Sequence, residues 1–193
     1  MTGMTRRVFL GTAGTASLGL AACATADRTM QSYGVNTGNA AQIDARVDST
    51  RQFLLSRYPG TQDLENRAAG VLWMPLITEA GLFVGGSYGR GALRINNATV
   101  DYYALTSVTY GLQVGAQQYA HALFFMIPQA LEDFRRGQGW TAGADISYAT
   151  PENGGNFGAQ TTQLDPVVAL IFGQQGMMAG LTLEGAKYSR IIP

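Results

Sequence analysis

The chain is short of the residues on which most chemistry depends. It has one cysteine, Cys23, one histidine, His121, and one lysine, Lys187, in 193 residues. A single cysteine excludes an intramolecular disulfide. With Cys23 assigned to another role below, no His/Cys metal cluster can be assembled, and no metal or cofactor is expected. Charge is sparse and balanced, with 13 basic and 13 acidic residues. That excludes the basic footprint of a nucleic-acid binder. No apolar run reaches the 20 or so residues needed to span a bilayer as a helix. What is abundant is glycine, 25 residues, close to double the usual share of roughly 7%. Glycine weakens regular structure, so its excess demands a structural reason.

The N-terminus carries the sharpest motif. Thr5-Arg6-Arg7-Val8-Phe9-Leu10 places two arginines before an apolar stretch that ends in Leu20-Ala21-Ala22-Cys23. Val8 to Ala22 is 15 residues, too short for a spanning helix and right for the apolar region of a signal peptide. Arg6 and Arg7 resemble the twin-arginine export signal. Leu-Ala-Ala-Cys resembles a lipobox, in which the Cys23 thiol is acylated and becomes the mature N-terminus. Cleavage there leaves 11 basic and 13 acidic residues, a net charge of −2. Several acyl chains anchor firmly, because each buried CH₂ contributes about 0.8 kcal/mol. Residue 24 is alanine, not the aspartate that commonly retains lipoproteins at the inner membrane. The expected location is therefore the periplasm, lipid-anchored to the inner face of the outer membrane.

Three segments are expected: a signal over 1–22, a flexible tether over 23–39, and a domain over 40–193. Ile43, Val47, Leu54 and Tyr58 recur at helical spacing, predicting a helix from Ala40 that ends at Pro59-Gly60. A shorter helix is predicted from about Gln62 to Ala69. Strand texture follows: Val71 to Met74 stopped by Pro75, Leu82 to Val84 entering a glycine cluster, and Ala92 to Ile95. Asn96-Asn97 suits a hairpin turn, with Val100 to Tyr103 returning. Leu123 to Ile127 reads as a buried strand, Pro128 as the first residue of a helix ending near Gly137, and Val167 to Phe172 as another apolar strand. Gly154 to Gln163 reads as a loop. Gly85, Gly115, Gly143 and Gly180 each fall inside a short β-like segment, where strands bend or a packed element meets the backbone. The fold class expected is α+β: a strongly curved, barrel-like, mainly antiparallel sheet with a few packed helices.

Ala69 to Leu72, Ala80 to Gly91, Gly111 to Gln117, Leu131 to Phe134, Gly143-Ala144-Asp145 and Gly180 to Gly185 resemble, in order, the SYLF domain, also called the Ysc84-type or Las17-binding domain. The resemblance covers roughly Ala40 to Ile191. It implies a non-enzymatic lipid-binding domain, with membrane lipid as the partner. Eukaryotic relatives bind phosphoinositides and some bind actin; actin has no place in a bacterial envelope and is not expected here. The chain departs from the family at Ile171-Phe172-Gly173-Gln174-Gln175, where relatives often carry Tyr-Ser with basic residues. Arg90, Arg94, Lys187 and Arg190 are the other candidate headgroup contacts.

Two further function classes compete. One is a structural or protein-interaction module of the periplasm that holds an envelope protein by a sheet edge or by the 154–163 loop. The other is a serine hydrolase: Gly85-Gly86-Ser87-Tyr88-Gly89 fits G-x-S-x-G, with Asp101 and His121 following in the order serine, acid, histidine. That motif requires a helix directly after the serine, whereas Arg90 to Ile95 reads as strand, so no catalytic residue is assigned. Glu184, in a strand-like segment, and Asp145 give no pattern that pairs them. The first helix, near the anchor and carrying Arg46, Arg51 and Arg57, has two readings as well. It lies on the membrane, or it packs its apolar stripe on the sheet; Asp44 and Asp48 offset the arginines and favour packing.

Overall fold

Two very long strands organise the molecule. The computed structural model describes residues 38–137, 139–143, 146–149, 165–173, 176–177 and 183–193. Strand β1 runs Gly70–Ile95 and β2 runs Ala98–Phe125, paired antiparallel along their length. Asn96 and Asn97 join them with φ of 50° and 65°, the left-handed pair that a two-residue hairpin turn needs and that asparagine tolerates. The remaining elements are helices α1 (Ala40–Arg57), α2 (Thr61–Arg67) and α3 (Pro128–Arg136), and strands β3 (Trp140–Thr141), β4 (Ile146–Ala149), β5 (Val167–Gly173), β6 (Gly176–Met177) and β7 (Lys187–Ile191).

The hairpin cannot be straight. A strand rises about 3.3 Å per residue, so Trp73 and Gly91 would lie about 60 Å apart on an extended β1. Instead, a Cβ placed on Gly91 would sit 2.0 Å from the carbonyl oxygen of Trp73, and one on Gly89 would sit 2.5 Å from that of Leu76. Strand β1 therefore doubles back on itself, and only glycine permits that approach. Register shifts between Met74 and Ile77, between Gly81 and Phe83, and between Leu93 and Arg94 break the ladder, as β-bulges do where strands bend. One half of β2 pairs with β7 and the other with β5. The seven strands thus form a sheet ordered β3-β7-β2-β5-β4, with β1 on β2 and β6 on β5, curled into a half-barrel. Among the described residues, only β4 and β5 pair parallel. The α+β class and the curved, mainly antiparallel sheet are as the sequence implies.

Both sheet faces are covered. The concave side buries Leu72, Leu93, Leu105, Leu123, Phe125 and Tyr188 with Phe134 of α3. The other buries Val71, Trp73, Ala122, Phe124 and Leu170 against Ile43, Val47 and Leu54 of α1. Helix α1 starts where Asn39 Oδ1 accepts from the Gln42 N–H at 3.1 Å, a side-chain N-cap. Its stripe packs on the sheet, and its acids bond into the fold. Asp44 accepts from Thr99 and Tyr102, and Asp48 from Arg94. Among the described residues no helix is long and apolar enough to cross a membrane.

Four expectations are corrected. The short strands ending at Met74, starting at Ala92 and Val100, and running from Leu123 are pieces of two continuous strands of 26 and 28 residues, the second ending at Phe125 and not at Ile127. Pro75 does not stop β1, because it sits within a register shift, where its missing N–H breaks no ladder bond. Gly143 lies outside any strand, with open space where a Cβ would be. Glu184 sits in a turn, not a strand, beside Gly185 at φ 78°. Cys23, Arg6, Arg7, most of the tether, Asp145, the 154–163 loop and Gly180 lie outside the described residues.

Candidate anion-binding groove

Helix α3 begins at Pro128, whose fixed φ suits the first helical position, and ends at Arg135-Arg136 before Gly137. Phe134 anchors it, with its ring 4.6 Å from that of Tyr103 and 4.8 Å from that of Phe125. This anchoring turns the last turn of α3 toward the start of β2 and the end of β7. There Asp101, its side chain only 12% exposed, accepts from one guanidinium and pairs with a second. Arg135 Nε donates to Oδ2 at 3.0 Å, and Arg190 Nε lies 3.4 Å from Oδ1. Arg190 Nη2 also donates to the Arg135 carbonyl at 3.1 Å. One partly buried carboxylate thus holds two arginines side by side, and the triad carries a net single positive charge. Burial pushes the neighbouring Tyr103 phenol above its ordinary value, so it stays neutral.

The arginines open onto a groove of about 630 Å³ lined by Ala69, Pro128, Leu131, Glu132, Arg136 and the pair itself. Arg136 is bonded to Glu132 and Asp133 at 3.2 Å each. Those exposed pairs contribute little. Two exposed apolar side chains stand close by in the chain: Ile127, beside Pro128, and Ile192, two residues past Arg190.

Of the four headgroup candidates read from the sequence, only Arg190 belongs to this groove. Arg94 lies on the opposite sheet face, paired with Asp48 of α1 at 2.6 Å. Arg90 donates to Tyr88 at 2.7 Å. Lys187 is exposed at the start of β7 beside Gly139. Arg135 is not singled out in the sequence, and Asp101 is weighed there only as the acid of a hydrolase; both are candidate residues of this groove. The only signal for them is an arginine pair at the end of a helix foreseeable from Pro128.

The serine, acid and histidine of the hydrolase reading do not assemble. Ser87 lies mid-strand, paired with Ser107, and no helix follows it. Asp101 pairs with Leu93, six residues along β2 from Ser107, about 20 Å away, and is held by two arginines. His121 is fully buried, with Nε2 2.8 Å from the Tyr188 hydroxyl. Burial pushes its pKa down to about 3, so it is neutral. Tyr119, beside Ser87 and Glu79 in the same interior, is pushed up by burial. This is a packed polar core without the strand–turn–helix geometry of a nucleophile.

Residues 106–190 match the model of the family described as Ysc84, Las17-binding protein actin regulator. The matched segment starts within β2 and ends within β7, so it contains Arg135, Arg190, His121 and Tyr188. The motif segments at 69–72 and 80–91 precede it. No curated protein in the comparison matches the chain. Domains of this family are in general non-catalytic membrane, lipid or protein-interaction modules. From within the second strand of the long hairpin to its last strand, the chain matches the Ysc84 (SYLF) family model.

Proposed function

We propose that the chain is a bacterial envelope lipoprotein whose domain binds anionic membrane lipid without catalysis. It is exported on the Arg6-Arg7 signal and anchored through acylated Cys23 to the periplasmic face of the outer membrane. The observation that carries the lipid reading is the Asp101 clamp. Two guanidiniums sharing one carboxylate through Nε leave further N–H groups for an incoming headgroup, and Ala69, Pro128 and Leu131 supply apolar lining in the same groove. A guanidinium so held is pre-organised, and less rotamer freedom is lost when it binds.

The test is co-sedimentation of the chain from Ala24 onward, without the acylated cysteine, with phosphatidylglycerol and phosphatidylcholine liposomes at two salt concentrations. Each basic residue at an anionic surface contributes about 1 kcal/mol. Wild type should therefore bind phosphatidylglycerol in a salt-sensitive manner, and the double variant Arg135→Gln/Arg190→Gln should bind about thirtyfold more weakly. Absence of wild-type binding to either lipid would overturn the domain's role in lipid contact. Attachment would then rest on Cys23, and the search would move to a protein partner in the envelope.

A further inference from the structure

On the other face of the sheet a second recess lies between the α1–α2 elbow and the hairpin turn. Its volume is about 260 Å³, and its lining includes Arg51, Gln62, Glu65, Asn66, Arg94 and the Asn96-Asn97 turn. We infer that this recess is a binding site for a phosphate oxyanion, separate from the Asp101 groove.

The supply of donors points that way. Two guanidiniums, Arg51 and Arg94, stand in the lining, balanced by Glu65 within it and by Asp48 bonded to Arg94. The carboxylate is already occupied: Glu65 accepts from Arg51 Nε at 2.6 Å and Arg51 Nη2 at 2.8 Å, and Gln62 Nε2 lies 3.3 Å from it. What remains in the recess is the second guanidinium and a set of amide groups that can donate. Arg94 gives Nη1 to Asp48 at 2.6 Å, but its Nε is buried and has no acceptor. The Nε–Nη2 edge is the side of a guanidinium that takes an oxyanion bidentately, and a buried N–H left without a partner is costly. Gln62 Nε2 donates to Asn66 Oδ1 at 3.0 Å, which leaves the Asn66 amide nitrogen as a donor. The central N–H groups of the two-residue turn make no ladder bond, and Asn96 and Asn97 line the same recess. A cation would find no vacant carboxylate here, and the volume falls below the range of roughly 300–1,000 Å³ that takes a drug-sized ligand. A phosphate group fits both the size and the donor set. It can arrive as free phosphate or as the headgroup of a lipid.

The experiment is a ¹⁵N–¹H NMR titration of the chain from Ala24 onward. The probes are inorganic phosphate, dihexanoylphosphatidylglycerol below its micelle-forming concentration, and sodium chloride at matched ionic strength. Saturable shifts at Asn66, Asn96 and Asn97 with phosphate would assign a free oxyanion as the ligand. The same shifts with the short lipid alone would assign a headgroup. Arg94→Gln should weaken binding about tenfold, the worth of a charged hydrogen bond. Asn66→Ala, at an exposed helix position, should weaken it severalfold without disturbing the fold. Asp48→Asn should tighten it, because Arg94 then loses its competing acceptor. The Arg135→Gln/Arg190→Gln variant should bind phosphate here as wild type does, so this site stands or falls apart from the liposome result. Overturning outcomes are no saturable shift with either probe, shifts matched by chloride, or affinity unchanged in both Arg94→Gln and Asn66→Ala.

Discussion

His121 and Tyr188 meet at the centre of the half-barrel, with Nε2 and the phenol oxygen 2.8 Å apart and neither side chain exposed. They come from β2 and β7, 67 residues apart, so their contact fastens the last strand to the long hairpin. Burial pushes the tyrosine well above its ordinary value, so it is a neutral phenol. The imidazole is neutral as well, and its Nδ1 is buried without a partner.

That pairing makes the fold acid-sensitive in a definite window. Folded His121 titrates at about 3, whereas in the unfolded chain it titrates near 6.5. Between those values the unfolded chain binds a proton that the native state does not, so stability falls as pH falls through the window. The slope approaches about 1.4 kcal/mol per pH unit for one such group. Urea unfolding at pH 7.5 and pH 4.5 should show His121→Leu losing less stability on acidification than wild type. Equal losses in both proteins would refute a buried neutral imidazole.

Gly91 should tolerate no side chain. Its Cβ would fall 2.0 Å from a backbone oxygen, that of Trp73, and backbone cannot swing aside as a flexible side chain can. Gly91→Ala should cost about 3 kcal/mol or more, the upper range for overpacking. Gly86 is the control: its nearest neighbour, the Ser107 carbonyl, is 3.3 Å away, and its substitution should cost much less. Equal midpoints in urea for the two variants would contradict the doubled-back course of β1.

Local signals were legible and long-range ones were not. The α1 stripe, the Asn96-Asn97 turn, the Pro128 helix start and β5 each rest on a few neighbouring residues, and each stands in the structure. The full length of β1 and β2 was hidden because glycines, Pro75 and three register shifts interrupt the alternation that marks a strand. The excess of glycine was visible, but the partner that requires it was not, since Trp73 and Gly91 meet only after the strand has folded over. The Asp101 clamp was hidden for the same reason. Its members sit at 101, 135 and 190, and nothing in their spacing announces that α3 and β7 converge on the start of β2.

Helix α1 should behave as core and not as a membrane-surface helix. Ile43, Val47 and Leu54 have no exposure and pack on Trp73, Phe124 and Leu170. Ile43→Ala and Leu54→Ala should each destabilise by about 2–5 kcal/mol. Val47→Thr, which places a hydroxyl among apolar neighbours, should also destabilise. Circular dichroism melts report this directly. Variants that melt like wild type but bind liposomes more weakly would return the helix to the membrane.

Asp101 separates a structural clamp from a binding device, because the two roles predict opposite signs. Removing a carboxylate that holds two guanidiniums leaves them facing each other with repulsion uncompensated. Asp101→Asn should therefore lower stability, by about 3 kcal/mol for a partly buried pair broken on one side. The same change raises the net charge of the groove by one. If anionic headgroups bind there, affinity for phosphatidylglycerol liposomes should rise and its salt dependence should steepen. A clamp that serves only to pin α3 and β7 to the hairpin would lose stability with no gain in salt-sensitive binding. Measuring urea midpoint and liposome affinity on the same Asp101→Asn preparation decides between them: a lower midpoint with higher affinity supports the groove, and a lower midpoint with lower affinity removes it.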